Sequence, residues 1–445
     1  MKACIEKNVR LSESLLWPLQ QTLYQEFGPD AWRQKGVPSY LTSHPLIAKQ
    51  YAQVVLGYLR DMYTTLDLNE PIYFFDLGAG TGRFAWLFLS KLKQLLSDSS
   101  LENIKFRYVM TDIVTANMEA WAAHPFFQEW LGSGELDFAF YHNADTEEFQ
   151  LIHSNTTIQP NSLSNPPVII ANYFFDTIPQ DLFRVKKGVV EEGKISLYAD
   201  DANAQPSDLL QSLDLVVQYE PLKRKPYEDE RLNKILESYS EASFSFPIGA
   251  FRTLDFFSQL CPKGMLLLAS DQGLSSDVQL KEWKGLKISK HGAFSLPVGY
   301  HPLAEYFRQN GGLGLLTNIP DAVFAVMVGV FGNGAFKETQ LAFREQMNTF
   351  EPHDYWKLGN ALLDQKPGLD VLISMLKLGE GDPLNLYACL EHIQTLIPAA
   401  TPEQKEALAR VVLLGAAHFF PISQEEFSFF KQLGSLMQQL GGGKG

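Results

Sequence analysis

Gly78, Gly80 and Gly82 stand two residues apart, behind an apolar run at 72–77 and directly ahead of a helical pattern. Glycine lacks the Cβ that would stop a tight turn or the close approach of a ligand to the backbone. The helix start that follows adds unpaired N–H groups. Such a turn can hold a nucleotide-like cofactor at the carboxyl edge of a parallel sheet. The spacing narrows the choice. A dinucleotide fingerprint reads G-x-G-x-x-G with an acid about 20 residues on. Here the third glycine comes one residue early, and Glu102, near the right offset, lies in a polar run. A phosphate loop needs Lys and then Ser or Thr after its last glycine, and Arg83 and Phe84 stand there instead. The plain alternative is a glycine-rich turn without a ligand.

Asp76 completes a D-x-G-x-G-x-G pattern with these glycines. The pattern resembles motif I of the class I S-adenosylmethionine (SAM) methyltransferases, which implies SAM as the cofactor. SAM presents a ribose diol, an adenine, a sulfonium and an amino-acid end. Gly78, Ala79, Gly80 and Gly82 would form the backbone cradle. Asp112 ends the next apolar run and could accept both ribose hydroxyl protons, or it could cap the following helix. Asp145, after the third run, could accept from the adenine amino group or be an ordinary loop aspartate. Asp76 could reach the amino-acid end or order the glycine loop.

A fourth apolar run ends in Asn172-Tyr173-Phe174-Phe175-Asp176. Polar groups at such an end point into the crevice of the sheet edge. An Asn172 carbonyl could orient an acceptor nitrogen. Tyr173, Phe174 and Phe175 could exclude water and pack on a cation, or simply be core. Asp176 could hold or deprotonate a nucleophile. Methyl transfer is a direct displacement, so alignment and desolvation can suffice without a strong base.

The elements that must position these residues alternate. Strands are expected at 72–77, 106–112, 136–141 and 168–173, with helices at about 82–96 and 114–122. Strands at 265–270, 313–317 and 322–330 resume the rhythm. Repeated βα units argue for a parallel sheet with helices on both faces. The fold expected is α/β, a seven-stranded Rossmann-like sheet of the class I methyltransferase kind. It carries an inserted segment and an all-helical C-terminal region. Residues 1–66 read as a helical N-terminal segment and 67–333 as the SAM-binding domain, with the insertion at about 183–247. Residues 334–440 read as a helical domain, a hairpin array resembling tetratricopeptide repeats, that is separable from the sheet.

The run 172–179 resembles the Asn-Glu-Phe-Phe-Asp-Ala-Leu-Pro signature of the MidA-like methyltransferases. That family includes the mitochondrial complex I assembly factor that methylates a protein arginine. Residues 38–43 resemble the family's approach segment. Asp271-Gln272-Gly273 stands where the family often has Asp-Tyr-Gly, and His301 opens a helix in a position like its late segment. The likeness spans roughly 37–330. It departs at Tyr173, where the family carries glutamate. A guanidinium substrate wants a carboxylate partner, so arginine methylation does not transfer with the resemblance. Asn172 with Phe175 also resembles the Asn-Pro-Pro-Tyr motif of amino methyltransferases, without its prolines.

The composition agrees with a soluble globular chain of 445 residues that is 45% hydrophobic. Its net charge of −14 argues against general nucleic-acid binding. Three scattered cysteines suggest reduced thiols and a cytoplasmic setting. No C-x-x-C or H-x-x-x-H pair supports a metal site, and no membrane span is expected. The reading is a SAM-dependent methyltransferase acting on a protein side chain, with a protein substrate or assembly partner. A catalytically silent scaffold or assembly factor is the alternative. A nicotinamide enzyme is disfavoured by the glycine spacing.

Overall fold

The computed structural model describes residues 2–28, 40–142, 148–202, 204–286, 289–291, 293–317, 324–350, 352–422 and 426–441. Across the main sheet the strands lie in the order Leu313–Leu316, Phe324–Phe331, Met265–Leu274, Val168–Asn172, Ile72–Asp76, Phe106–Asp112 and Leu136–Phe140. The last five are mutually parallel, and Phe324–Phe331 runs antiparallel to both its neighbours. The expected count of seven needs one amendment. The short strand Val298–Gly299 pairs in parallel with Gly273 and Leu274, which makes eight among the described residues.

From Ile72–Asp76 the chain adds strands in one direction, through Phe106–Asp112 to Leu136–Phe140. It then returns to place Val168–Asn172 on the opposite side of Ile72–Asp76. Strand order therefore reverses between these two. A crevice opens at such a point beyond the carboxyl ends. Register aligns Asp76 with Ile170, Asn172 with Ser270 and Asp112 with Phe140. The polar residues that end these strands thus share one edge.

Side chains alternate across the sheet, as the two-residue period requires. Phe74, Tyr108 and Ile170 face a core built with the helices Pro45–Met62 and Arg83–Ser97. Phe75, Val109 and Ile169 face the helices Ile248–Ser258 and Tyr300–Gln309. Helix Pro45–Met62 starts on His44, whose Nδ1 accepts the Leu46 N–H at 3.0 Å, and Pro45 occupies its first turn, where no N–H is needed.

A second, antiparallel sheet lies in sequence mostly between the fourth and fifth main strands. It pairs Asp181–Lys186, Val189–Ala199, Asp214–Pro221 and Ala242–Phe246, and it also takes in Ala3–Arg10. Residues 1–66 therefore do not form a purely helical segment: the chain begins with an edge strand. Helix Leu16–Phe27 packs on this sheet through Leu16, Trp17 and Leu23 against Leu182, Ile195 and Leu197. That packing carries the helix to the mouth of the crevice.

The C-terminal helices are Lys337–Met347, Pro352–Leu363, Leu369–Leu378, Pro383–Leu396, Pro402–Ala417 and Glu426–Gln439. Asp382 and Thr401 cap two of them, the latter in a capping box with Gln404. Leu372, Leu386, Leu408 and Leu436 belong to a third core, which also takes in Leu46 of helix Pro45–Met62. Helix Lys337–Met347 does not share it. Phe343 and Met347, and also Phe420, belong to the first core of the sheet. Gly57 lets this helix approach, since a Cβ there would stand 2.7 Å from the Glu338 carbonyl oxygen. A cut near 334 would pass through that core. No helix among the described residues is long and apolar enough to cross a membrane.

Candidate cofactor and active site

A cavity of about 560 Å³ occupies the crevice at the strand-order reversal. The glycine turn forms one wall. Gly78, Gly80 and Gly82 have φ of +68°, +55° and +81°, the left-handed region that disfavours a side chain. The turn is pinned from behind. The Ala79 N–H donates to the Thr111 carbonyl at 2.9 Å, and Trp121 Nε1–H donates to the Gly80 carbonyl at 2.9 Å. Gly78, Ala79 and Gly80 line the cavity, but Gly82 does not. A Cβ on Gly82 would meet Met110 Cε at 3.0 Å and the Phe127 ring at 3.1 Å. The neighbours of this glycine, expected from the sequence to hold the cofactor, are packing contacts among strand, turn and helix.

Asp112 lines the cavity and is buried. Its Oδ1 accepts the N–H groups of Ile113 at 2.8 Å and Val114 at 3.1 Å. Its Oδ2 accepts Asn117 Nδ2–H at 2.8 Å and the Gly80 N–H at 3.3 Å. The carboxylate thus orders both the glycine turn and the entry to the next helix. Burial pushes its pKa up to about 6 against these four hydrogen bonds. The long Gly80 contact is the one that a ligand hydroxyl would displace most easily. Asp76 also lines the cavity and accepts the Tyr108 hydroxyl at 2.9 Å. Burial raises its pKa to about 7. Asp145 lies outside the described residues.

The opposite wall comes from the end of Val168–Asn172. The Asn172 Oδ1 accepts the hydroxyls of Tyr51 at 2.9 Å and Ser270 at 2.7 Å. Its carbonyl is therefore engaged inward, contrary to the expectation that it would orient an acceptor. Its Nδ2 is buried without a partner among the described residues. Tyr173 holds φ at +48°, a strained value for an aromatic residue, and sets its ring edge-on to Phe324. Phe174 lines the cavity and stacks on Tyr141. Phe175 is corrected. Its ring is fully buried in the second core and contributes nothing to the wall. Its N–H instead donates to Asp271 Oδ2 at 3.1 Å, as does that of Asp176 at 3.3 Å. Asp176 lines the cavity, 4% exposed, and faces Asp271.

His301, at the start of helix Tyr300–Gln309, also lies outside the cavity wall. It binds the Tyr239 hydroxyl at 2.8 Å and Asp277 at 3.2 Å, away from the cavity. Three contributors escaped the sequence reading. Helix Leu16–Phe27 supplies Trp17, Gln20 and Tyr24 as a third wall, Arg252 adds a cation, and Tyr51 anchors Asn172. None carries a motif. Asp271, named in the sequence only for the Asp-Gln-Gly resemblance, faces Asp176.

No family model and no curated protein matches the chain. Solved structures do resemble it. A Burkholderia thailandensis protein crystallised with S-adenosyl-homocysteine aligns at 16% identity and a TM-score of 0.43, over 69% of this chain and 82% of its own. An uncharacterized Burkholderia thailandensis protein aligns at 15% identity and a TM-score of 0.42, over 72% of this chain and 89% of its own. Magnesium protoporphyrin IX methyltransferase from Synechocystis, also with bound S-adenosyl-homocysteine, aligns at 10% identity and a TM-score of 0.31, over 70% and 98%. At these values the likeness carries no argument about this chain's chemistry, which rests on its own residues.

Proposed function

We propose that the chain is a SAM-dependent methyltransferase of the MidA-like kind that acts on a protein side chain. One observation carries this reading. The glycine turn with Asp76 and Asp112 on one side, and Asn172 and Asp176 on the other, converge on a single cavity at the strand-order reversal. Its volume suits a small-molecule site. The residues present fit SAM. The left-handed glycines leave room for close backbone approach, the acids suit a cation bearing a diol, and the unpartnered Asn172 Nδ2 awaits an acceptor atom. When bound, SAM supplies an electrophilic methyl group. Asp112 would receive the ribose hydroxyls, and Asp76 and the 78–80 backbone would order the amino-acid end. Phe174 and Tyr141 would exclude water beside them. Asn172, Tyr173 and Asp176 would form the acceptor end, and the C-terminal helices would help dock the protein.

Full-length chain incubated with cell lysate and methyl-labelled SAM tests the reading. Labelled protein should appear, and Asn172→Ala or Asp176→Ala should cut transfer far more than SAM affinity, because their contacts belong to the acceptor. Equal transfer by both variants would make this wall structural. A second reading, a silent scaffold, is favoured by Tyr173 at the position where the resemblance leads one to expect glutamate. SAM binding with no labelled component would select it.

A further inference from the structure

Asp176 and Asp271 are 4% and 0% exposed, yet they face one another. Two ionised carboxylates buried face to face repel one another, and a proton held between them removes the conflict. The rest of the hydrogen bonding agrees. Asp271 Oδ2 is clamped by the N–H groups of Phe175 and Asp176. Asp176 Oδ1 and Asp271 Oδ1 are both buried without a donor among the described residues. The groups that face the pair electrostatically are Tyr24, Tyr51, Tyr173 and Tyr300, with Arg252 and His142 elsewhere in the cavity wall. A purely structural stitch would have no need to open on the cavity, as Asp176 does.

We infer that Asp176 and Asp271 act as one carboxyl pair with a single shared proton, and that the pair takes a second proton from an aliphatic amine entering the cavity as its ammonium. The acceptor class rests on the methyltransferase reading. An ammonium is drawn by the acids Asp76, Asp112 and Asp176, and the aromatic faces of Tyr24, Tyr173 and Phe174 suit a cation. Proton transfer leaves a neutral pair and a neutral amine, which a buried site favours over two charges. The amine lone pair then forms the new N–C bond as the C–S bond breaks, and the electrons of that bond go to sulfur. Burial raises both carboxyls above their ordinary range. An amine of ordinary pKa, about 10.4, yields its proton to such a pair more readily than a guanidinium, whose pKa stands about two or more units higher. Asp176 touches the acceptor, and Asp271 is a positioning residue that acts through it.

Two measurements on the full chain decide this. Infrared difference spectra of parent against Asp271→Asn at pH 8 should show one protonated carboxyl band, lost in the variant and equally in Asp176→Asn. Its absence from the parent overturns the shared proton. Transfer of labelled methyl from SAM is then followed to n-butylamine, a lysine peptide and an arginine peptide. Label on either amine is expected, with kcat/KM rising with pH through neutrality. Asp176→Asn should lose about a hundredfold or more at unchanged SAM affinity. Asp271→Asn should displace the pH profile. A peptide-only signal makes the amine a protein side chain, and a butylamine signal makes it a free amine. Label on the arginine peptide alone, or a parental pH profile in Asp271→Asn, overturns the proposal. If the parent binds no SAM, the methyltransferase reading falls and the amine acceptor with it, while the infrared band still decides the shared proton.

Discussion

Gly82→Ala separates the two readings of the third glycine. The backbone there has φ of +81°, and leaving the favoured regions costs an L-residue roughly 1–2 kcal/mol. The new methyl would also press on Met110 Cε at 3.0 Å and on the Phe127 ring at 3.1 Å. Overpacking of a filled core adds about 1–3 kcal/mol. The sum is roughly 2–5 kcal/mol of lost stability. Gly134→Ala is the control, because its φ of +76° imposes the same strain while its nearest neighbour, an Arg107 guanidinium nitrogen, lies at an ordinary 3.8 Å. The two variants should therefore differ by the packing part alone, about 1–3 kcal/mol. Urea unfolding followed by circular dichroism measures the difference. SAM affinity of folded Gly82→Ala should stay near the parent's, because Gly82 does not line the cavity. Equal stabilities for the two variants would refute the packing role. Loss of SAM binding in a stable Gly82→Ala would return this glycine to the cofactor.

Asp112→Ala should weaken SAM by about 1.5–3 kcal/mol, the range for a hydrogen bond to a charged group. It should also destabilise the free chain, since three N–H groups and the Asn117 amide lose their acceptor. Calorimetry and urea unfolding read the two effects separately, and unchanged affinity in a folded variant would leave Asp112 only its structural role. Burial holds Asp112 near 6 and Asp76 near 7, both above the ordinary carboxyl range. The folded state then keeps protons that the unfolded chain has already lost. The stability these two groups contribute is full below about pH 4 and is lost as pH rises through 6 to 7. A cationic ligand favours their ionised forms, so SAM should bind more tightly across that same window with proton release, detectable by calorimetry in buffers of different ionisation enthalpy. A pH-independent affinity would contradict it. Phe420 is 1% exposed and stacks on His124 with ring centroids 4.1 Å apart. Phe420→Ala should cost about 3–5 kcal/mol. A urea midpoint near the parent's would show that the C-terminal segment does not support the sheet's first core.

The main strands were legible because a strand buried on both faces reads as an unbroken apolar run. The residues that end those runs, Asp76, Asp112, Asn172 and Asp176, were legible for the same reason, since parallel strands deliver their ends to one edge. Ala3–Arg10 was not. It is an edge strand with mostly exposed or half-buried side chains, so Glu6, Lys7 and Asn8 hide its period. Val189–Ala199 is masked in the sequence by the turn-like residues Glu192-Gly193-Lys194 at its middle. The strand runs straight through because Gly193 lets it close on Leu182, whose Cβ would lie 2.9 Å from a Cβ at Gly193. Phe174 and Phe175 could not be told apart in sequence. The positive φ at Tyr173 and the 3-10 turn Phe175–Thr177 turn one ring to the cavity and the other to the core. The wall from helix Leu16–Phe27 depends on packing against a sheet that is far away in the chain, and no local pattern announces that.

Calorimetric titration of SAM, S-adenosyl-homocysteine and NAD into the full chain and into Gly80→Val decides whether the glycine turn holds SAM. Gly80 lines the cavity at φ of +55°, where a branched side chain is both strained and in the ligand's path. One site is expected for SAM and for S-adenosyl-homocysteine, none for NAD, and no detectable binding to folded Gly80→Val. Parental SAM affinity in Gly80→Val, or binding of NAD in place of SAM, would contradict it.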